Sequence, residues 1–417
     1  MNQGGIYARF SRFKQIISLK NLETAYLKIA GDMELDGRAR RYCGWDSLKL
    51  NDVEIKAPEL IRLIRKEMED LSPVAPAVLF KIPKKSNPQK MREIYIYNWK
   101  ERIKAQALYQ VVEPIFDAYF SPYLFSYRAS HSSYFAARSA VRHYQKYWQR
   151  DSVFIGDLSD YSNYIRHDCL KEQINKLNLE EKVKKLLFLF IGNEVIRDGA
   201  IISPEYGLVQ GVPLIALFNN LYLDAFDKYV GERADFYRRV GDDLVIFDRL
   251  PERLEPLRNH LYTEAERLGL KVNLEKSVMQ PANLPFSFLG YRFHDGRISL
   301  PPNFEKALII KWRQQFPYYR SNSSQRKRQF LKQSLHKEHN NLKIQFEQLA
   351  GQKKLVSDEE QIRRLSEAFF RVLTRYFFKD YSPRHRRLLA GKLKKLGFTS
   401  IYKYFFNARY GFKSRKS

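Results

Sequence analysis

The 417-residue sequence predicts an α+β fold followed by a basic, helical C-terminal module. Three observations carry this expectation. Up to about residue 300, short β-branched and aromatic runs alternate with longer stretches whose apolar residues recur every three or four positions. Beyond Pro302 only the helical period continues. Carboxylates stand at the ends of two strand-like runs, Asp157 in one and Asp242-Asp243 in the other, where a sheet would present them at strand tips.

The N-terminal part, residues 1–75, reads as helical. Apolar spacing marks helices over Ser18 to Lys28 and Ala57 to Met68, and Ser72-Pro73 with Pro76 ends the pattern. Val78 to Pro83 and Arg92 to Tyr97 then read as two strands joined by a polar turn, a basic hairpin. Its Lys81, Lys84, Lys85 and Arg92 suit a triphosphate if the hairpin folds over an active site; a solvated charged hairpin is the plainer reading. A helix is expected over Trp99 to Phe116. The aromatic and basic loop Pro122 to Ser132, with Arg128 in it, suits base stacking and phosphate contact or simple packing. A helix over Tyr134 to Trp148 follows.

Ser152 to Leu158 is a strand ending in an acid, followed by helices over Asp168 to Lys176 and Glu180 to Phe190. Glu194 to Ile202 resembles a small hairpin turning at Asp198-Gly199. Gly207 to Pro213 is a tight loop around Gln210 that opens a long apolar helix reaching about Val230. Tyr237 to Phe247 forms the second acidic element, a hairpin whose tip is Gly241-Asp242-Asp243. Adjacent carboxylates repel, so either solvent or a divalent cation must screen them. With Asp157 on a neighbouring strand, the trio matches the donor set of a two-metal site. A helix over Glu252 to Leu268, a strand and turn over Leu270 to Ser277, and an alternating strand over Phe286 to Phe293 turning near Asp295-Gly296 complete this part. Periodic stretches over Glu305–Tyr318, Arg326–Leu349, Glu359–Phe378 and Arg384–Leu396 form the last module.

Charge separates these parts. Residues 301–417 hold 28 Lys/Arg against 8 Asp/Glu, so +20 of the net +27 lies there. Such a field draws polyanions, and the Tyr and Phe spread through it favour nucleic acid over a lipid surface. No run of eighteen apolar residues predicts a membrane span. The start shows no basic-then-apolar secretion pattern, and Cys43 and Cys169 make neither a disulfide framework nor a zinc site. A cytoplasmic setting is expected.

In this order the pieces resemble the reverse transcriptase family, in particular the bacterial group II intron type and its defence-associated relatives, over roughly residues 76–295. The resemblance implies a right-hand polymerase fold: residues 1–75 as an N-terminal extension of the fingers, 76–300 as fingers and palm, 301–417 as a thumb or RNA-binding domain. It implies that Asp157, Asp242 and Asp243 are catalytic, binding two Mg²⁺ (or Mn²⁺) together with the Leu158 carbonyl. Lys81, Lys84, Arg92, Tyr161, Ser162, Gln210 and Lys276 fall where the family contacts the incoming nucleotide. Arg128 and the Phe288-Leu289-Gly290 segment fall where it contacts primer and template. Implied partners are an RNA template, such as a non-coding RNA, a DNA primer and deoxynucleotides, with homo- or hetero-oligomers both open and antiphage defence as the setting.

Three departures stand out. Val240 replaces the usual tyrosine of the hairpin, making it similar to that of viral RNA-copying polymerases, although the Gln210 loop and Phe288-Leu289-Gly290 do not follow that pattern. Ser162 stands where a bulky aromatic usually excludes a 2′-hydroxyl, so sugar discrimination is weak or Tyr161 has taken it over. No Cys and His spacing of an appended nuclease follows the basic module. The alternatives are a non-catalytic, maturase-like RNA-binding protein and a template-independent or RNA-synthesising polymerase.

Overall fold

The computed structural model describes residues 11–35, 50–84, 87–128, 131–316, 343–378, 381–395, 398 and 400–410. Lys85, Cys43 and the 326–342 part of one expected helix lie outside them. The chain divides into two compact units, Met1–Ala136 with Phe154–Met279, and Ala137–Val153 with Gln280–Ser417. This division differs from the split at residues 300/301 read from the sequence, because β-structure just before residue 300 groups with the C-terminal helices.

The first unit holds two sheets. In one, β1 (Ala77–Lys84) and β2 (Asn87–Ile96) form the expected hairpin, with Phe80 opposite Ile94 and Ile82 opposite Arg92. The small hairpin β4 (Val195–Arg197) and β5 (Ala200–Ile202) joins it, since Ala77 and Val78 pair in parallel with Val195 and Ile196. Asp198 and Gly199, both at positive φ, close that turn. In the other sheet, β3 (Ser152–Ser159) is buried along almost its whole length, which suits its short apolar run Val153-Phe154-Ile155. It lies between β7 (Asp243–Asp248) and β8 (Lys271–Val272), with β6 (Phe236–Val240) outside β7.

A helix over Trp99–Tyr119 runs through the core of this unit, started by the Asn98 side chain, which accepts from the Glu101 N–H. The N-terminal helices Leu19–Leu35 and Leu50–Glu69 pack on it. Asn21 reaches across to the Ala107 carbonyl at 3.0 Å, and Lys100 pairs with Glu67 at 2.6 Å. The long apolar helix expected up to Val230 is in fact two, Leu214–Tyr222 and Asp224–Gly231. The break at Leu223 has a tertiary cause: the buried Asp224 carboxylate accepts from the Ser121 N–H at 2.8 Å and pairs with Lys228 at 2.7 Å.

In the second unit, β9 (Phe286–Phe288), β10 (Tyr291–His294) and β11 (Arg297–Ser299) form an antiparallel meander. The single strand expected over Phe286 to Phe293 is therefore a hairpin, turning at Leu289-Gly290, where both residues take positive φ. Phe286 and Phe293 stack at 4.7 Å with Tyr144 edge-on to both. Helices Pro302–Gln315, 343–352, Glu359–Phe378, Pro383–Lys395 and Ile401–Tyr410 close on an aromatic centre that includes Trp312, Phe346, Phe369 and Phe398.

Two glycines of the first unit differ in a way that can be measured. Gly207 (φ +82) has the Asn163 carbonyl oxygen 2.8 Å from where a Cβ would sit, whereas Gly241 (φ +65) has open space there. Gly241→Ala should cost only the backbone strain, about 1 kcal/mol, and Gly207→Ala roughly 3 kcal/mol because a backbone clash is added. Urea midpoints of the two variants test this; equal losses would mean that Asn163 does not set the loop.

Candidate active site

The site forms where the β6–β7 hairpin meets the end of β3. Val240 pairs with Asp243, so Gly241 and Asp242 are the two turn residues, and the positive φ of Gly241 falls at the first of them. The Leu158 N–H donates to the Asp242 carbonyl at 3.2 Å, which fixes the hairpin tip beside Asp157. Asp157 is buried, Asp243 half-buried, and Asp242 exposed at the tip.

Desolvation comes first in pushing the Asp243 carboxyl up to about 6, and the charges of Asp242 and Asp157 add to it. Asp242 shifts in the same direction through partial desolvation and Asp157. A segment after β8 supplies the opposing charge. The Asn273 N–H donates to the Asp157 carbonyl at 2.8 Å, and the Asp157 N–H donates to Ser277 Oγ at 3.2 Å. Between these anchors Lys276 sets its Nζ 2.9 Å from Asp157 Oδ2, and this hydrogen bond raises the pKa of the ammonium.

Hard oxygen donors with excess negative charge fit Mg²⁺ or Mn²⁺ chemistry. Among the described residues, however, no three carboxylate, imidazole or thiolate groups are grouped as a metal site. Lys276 engages Asp157 instead.

A buried frame holds the hairpin. Arg239 is fully buried and forks onto Asp227, Nε to Oδ1 at 2.7 Å and Nη2 to Oδ2 at 2.6 Å. Its Nη1 donates to the Gly241 carbonyl at 2.9 Å, and the Gly241 N–H donates to Ser126 Oγ. The loop after Phe120 is paired to β6, with the Phe125 N–H on the Arg239 carbonyl at 2.8 Å. Arg128 closes that loop, donating to Asp117 and to the Ser121 and Leu124 carbonyls. These bonds give it a positioning role in the loop. Arg239, Asp227 and Ser126 were not singled out in the sequence. The alternation of Tyr237 to Val240 carried a signal, because one of two adjacent arginines on a strand must face inward.

The other expected residues divide as follows. Tyr161 is buried in the core and donates its hydroxyl to the Asn219 carbonyl. Ser162 Oγ accepts from Asn219 Nδ2 at 2.9 Å, and its carbonyl accepts from the Leu208 N–H at 2.8 Å. Tyr97 donates to the Val209 carbonyl at 2.9 Å, beside half-buried Gln210. Lys81 is exposed on β1; Lys84 and Arg92 lie on β1 and β2, with their side chains outside those described. Phe288, Leu289 and Gly290 belong to the second unit, where Lys353 Nζ donates to the Gly290 carbonyl at 3.2 Å.

An acid-bearing strand beside a Gly-Asp-Asp hairpin, together with a basic hairpin sheet, defines a polymerase of the palm-and-fingers class. The family model described as reverse transcriptase (RNA-dependent DNA polymerase) matches residues 82–293, just over half of the chain, and the chain belongs to that family. It is an RNA-directed DNA polymerase. Protein YkfC of Escherichia coli strain K12 is 22% identical over 323 residues, covering 68% of this chain and 83% of that protein. Group II intron-encoded protein LtrA of Lactococcus lactis subsp. cremoris is 24% identical over 186 residues, 44% of this chain. The match covers 29% of LtrA, so the chain spans under a third of that relative.

The buried pair gives a stability prediction. Arg239→Met strands the Asp227 carboxylate and should cost about 3–5 kcal/mol, while Arg239→Met with Asp227→Leu should recover much of it. Urea unfolding of both variants checks this; a double variant no better than the single one would show that the pair is not the source of the loss.

Proposed function

We propose that Asp157, Asp242 and Asp243, with the Leu158 carbonyl, hold two divalent cations for copying an RNA into DNA, with Mg²⁺ as the natural ion and Mn²⁺ able to replace it. The observation that carries this is the bond from the Leu158 N–H to the Asp242 carbonyl, which keeps the acids of two separate elements side by side. Bound there, the cations would activate the primer 3′-hydroxyl and offset charge on the transferred phosphoryl group. Lys81, Lys84 and Arg92 would take the triphosphate and Gln210 the nascent pair, with Lys276 near the departing phosphate. Arg128 would serve primer and template through the loop it braces, and Phe288-Leu289-Gly290 would grip the primer. The basic segment 301–417 would act as the thumb and hold a non-coding RNA template by backbone and shape. We place this activity in the cytoplasm and in antiphage defence, a setting that rests on the family resemblance; loss of phage resistance in cells carrying an Asp242→Ala variant is its test.

Protein purified with its bound nucleic acid, given Mg²⁺ and labelled deoxynucleotides, should yield DNase-sensitive product whose sequence identifies the template. Asp157→Asn and Asp242→Asn should each lower synthesis at least about a hundredfold. Full synthesis by either variant would end this reading.

Ser162 gives a separate prediction. Tyr161 is buried with its hydroxyl on the Asn219 carbonyl whereas Ser162 is half-buried, so we assign the contact with the nucleotide sugar to the small Ser162. Ribonucleotides should be incorporated measurably, and Ser162→Phe should lower that incorporation about tenfold relative to deoxynucleotides. An unchanged ratio would move sugar selection elsewhere.

A further inference from the structure

We propose that Lys276 is a built-in counter-ion of the resting site, an ammonium that occupies Asp157 until a divalent cation displaces it. The proposal rests on the reading of the three aspartates as metal ligands. Geometry is its main support. Lys276 Nζ lies 2.9 Å from Asp157 Oδ2, and its side chain is 66% exposed where that of Asp157 is 7% exposed. A buried acid is thus covered from the solvent side by a flexible cation that can swing away. The contact is also anchored. Asp157 itself binds the turn on both sides of the lysine, through its carbonyl to Asn273 and its N–H to Ser277. The turn closes with the Lys276 and Ser277 N–H groups both on the Asn273 carbonyl, at 3.2 and 2.9 Å. Asp157 therefore fixes the backbone that returns an ammonium to its own carboxylate.

The arrangement answers a problem that the acids create. Three neighbouring carboxylates repel one another when no cation is present, and one lysine offsets part of that charge. The cost falls on metal binding, since an arriving cation must break the ion pair and then sit near a displaced positive charge. Half-exposed pairs of this kind shift a competing equilibrium by about two- to fivefold, and repulsion of a doubly charged ion adds to that. Lys276 therefore lowers the affinity of the empty site for metal.

Mn²⁺ binding to the full-length protein, followed by electron paramagnetic resonance with no nucleotide present, tests this directly. Lys276→Met should tighten Mn²⁺ binding about three- to tenfold. Lys276→Arg, which keeps the charge, should retain wild-type affinity, and the gain in Lys276→Met should shrink as salt is raised. Lys271→Met on β8 removes the same charge from a lysine that lies over the Tyr164 ring at 4.6 Å, and should leave the affinity within about twofold. An unchanged or weaker affinity in Lys276→Met overturns the proposal, and so does an equal gain in Lys271→Met, which would trace the effect to overall charge. Asp157→Asn separates the two levels of the argument. If it leaves wild-type Mn²⁺ binding unaltered, the metal-ligand reading fails and takes this proposal with it. If it abolishes binding while Lys276→Met gains nothing, only the counter-ion is wrong.

Discussion

The buried ion pair of Arg239 and Asp227 is the constraint on which the acid-bearing β6–β7 hairpin depends. Burying a guanidinium and a carboxylate costs several kcal/mol each in lost hydration, so such a pair survives only when its donors and acceptors are used. Here they are. Asp227 takes two bonds from Arg239 and one from the Tyr237 hydroxyl, and two further guanidinium N–H groups reach the Gly241 and Asn220 carbonyls. The bond to Gly241 matters most for chemistry, because it ties the turn carrying Asp242 to the core instead of leaving it to fray.

That constraint propagates outward. Asp227 faces β6 from the short helix Asp224–Gly231, which packs on that strand and exists as a separate element because the chain breaks at Leu223. The break is held by the Ser121 N–H on Asp224, and Ser121 opens the loop whose Ser126 accepts from Gly241. The hairpin tip is thus gripped by a closed circuit: core arginine, split helix, paired loop, turn. The loop's aromatic and basic composition, read in the sequence as suiting either nucleic-acid contact or simple packing, is explained in part by this inward task.

What the sequence made legible was local. Strands ending in acids, the Gly241 turn and the helix over Trp99–Tyr119 follow from period, propensity and turn chemistry within a dozen residues. What stayed hidden depends on partners far away in the chain. The parallel pairing of Ala77 with Val195 adds two strands to the first sheet, and nothing within either segment announces it. The helix break at Leu223 is decided by an N–H 103 residues earlier. The turn at Leu289-Gly290 had a local signal, a glycine inside an alternating run, but the alternation on both sides masked it. The acids and Lys276 could be named in advance; that lysine and acid would pair directly could not, because the pairing follows from how Asn273 and Ser277 dock on β3.

The loop around Gln210 shows why the small Ser162 is not readily compensated by movement nearby. Gly207 and Leu208 donate to the Ile165 and Ser162 carbonyls, the Gly207 carbonyl accepts from His167 Nε2 at 2.7 Å, and the Val209 carbonyl accepts from Tyr97. Three elements, the end of β2, the turn after β3 and the start of the next helix, are pinned to one another through three consecutive residues. A backbone braced on that scale does not drift to fill the volume an aromatic ring would have taken. Asn219 holds Ser162 on one side and Tyr161 on the other, so neither side chain can swing across without breaking a hydrogen bond. On the sugar contact proposed for Ser162, selectivity would therefore follow from the covalent size of residue 162, held in place by its neighbours.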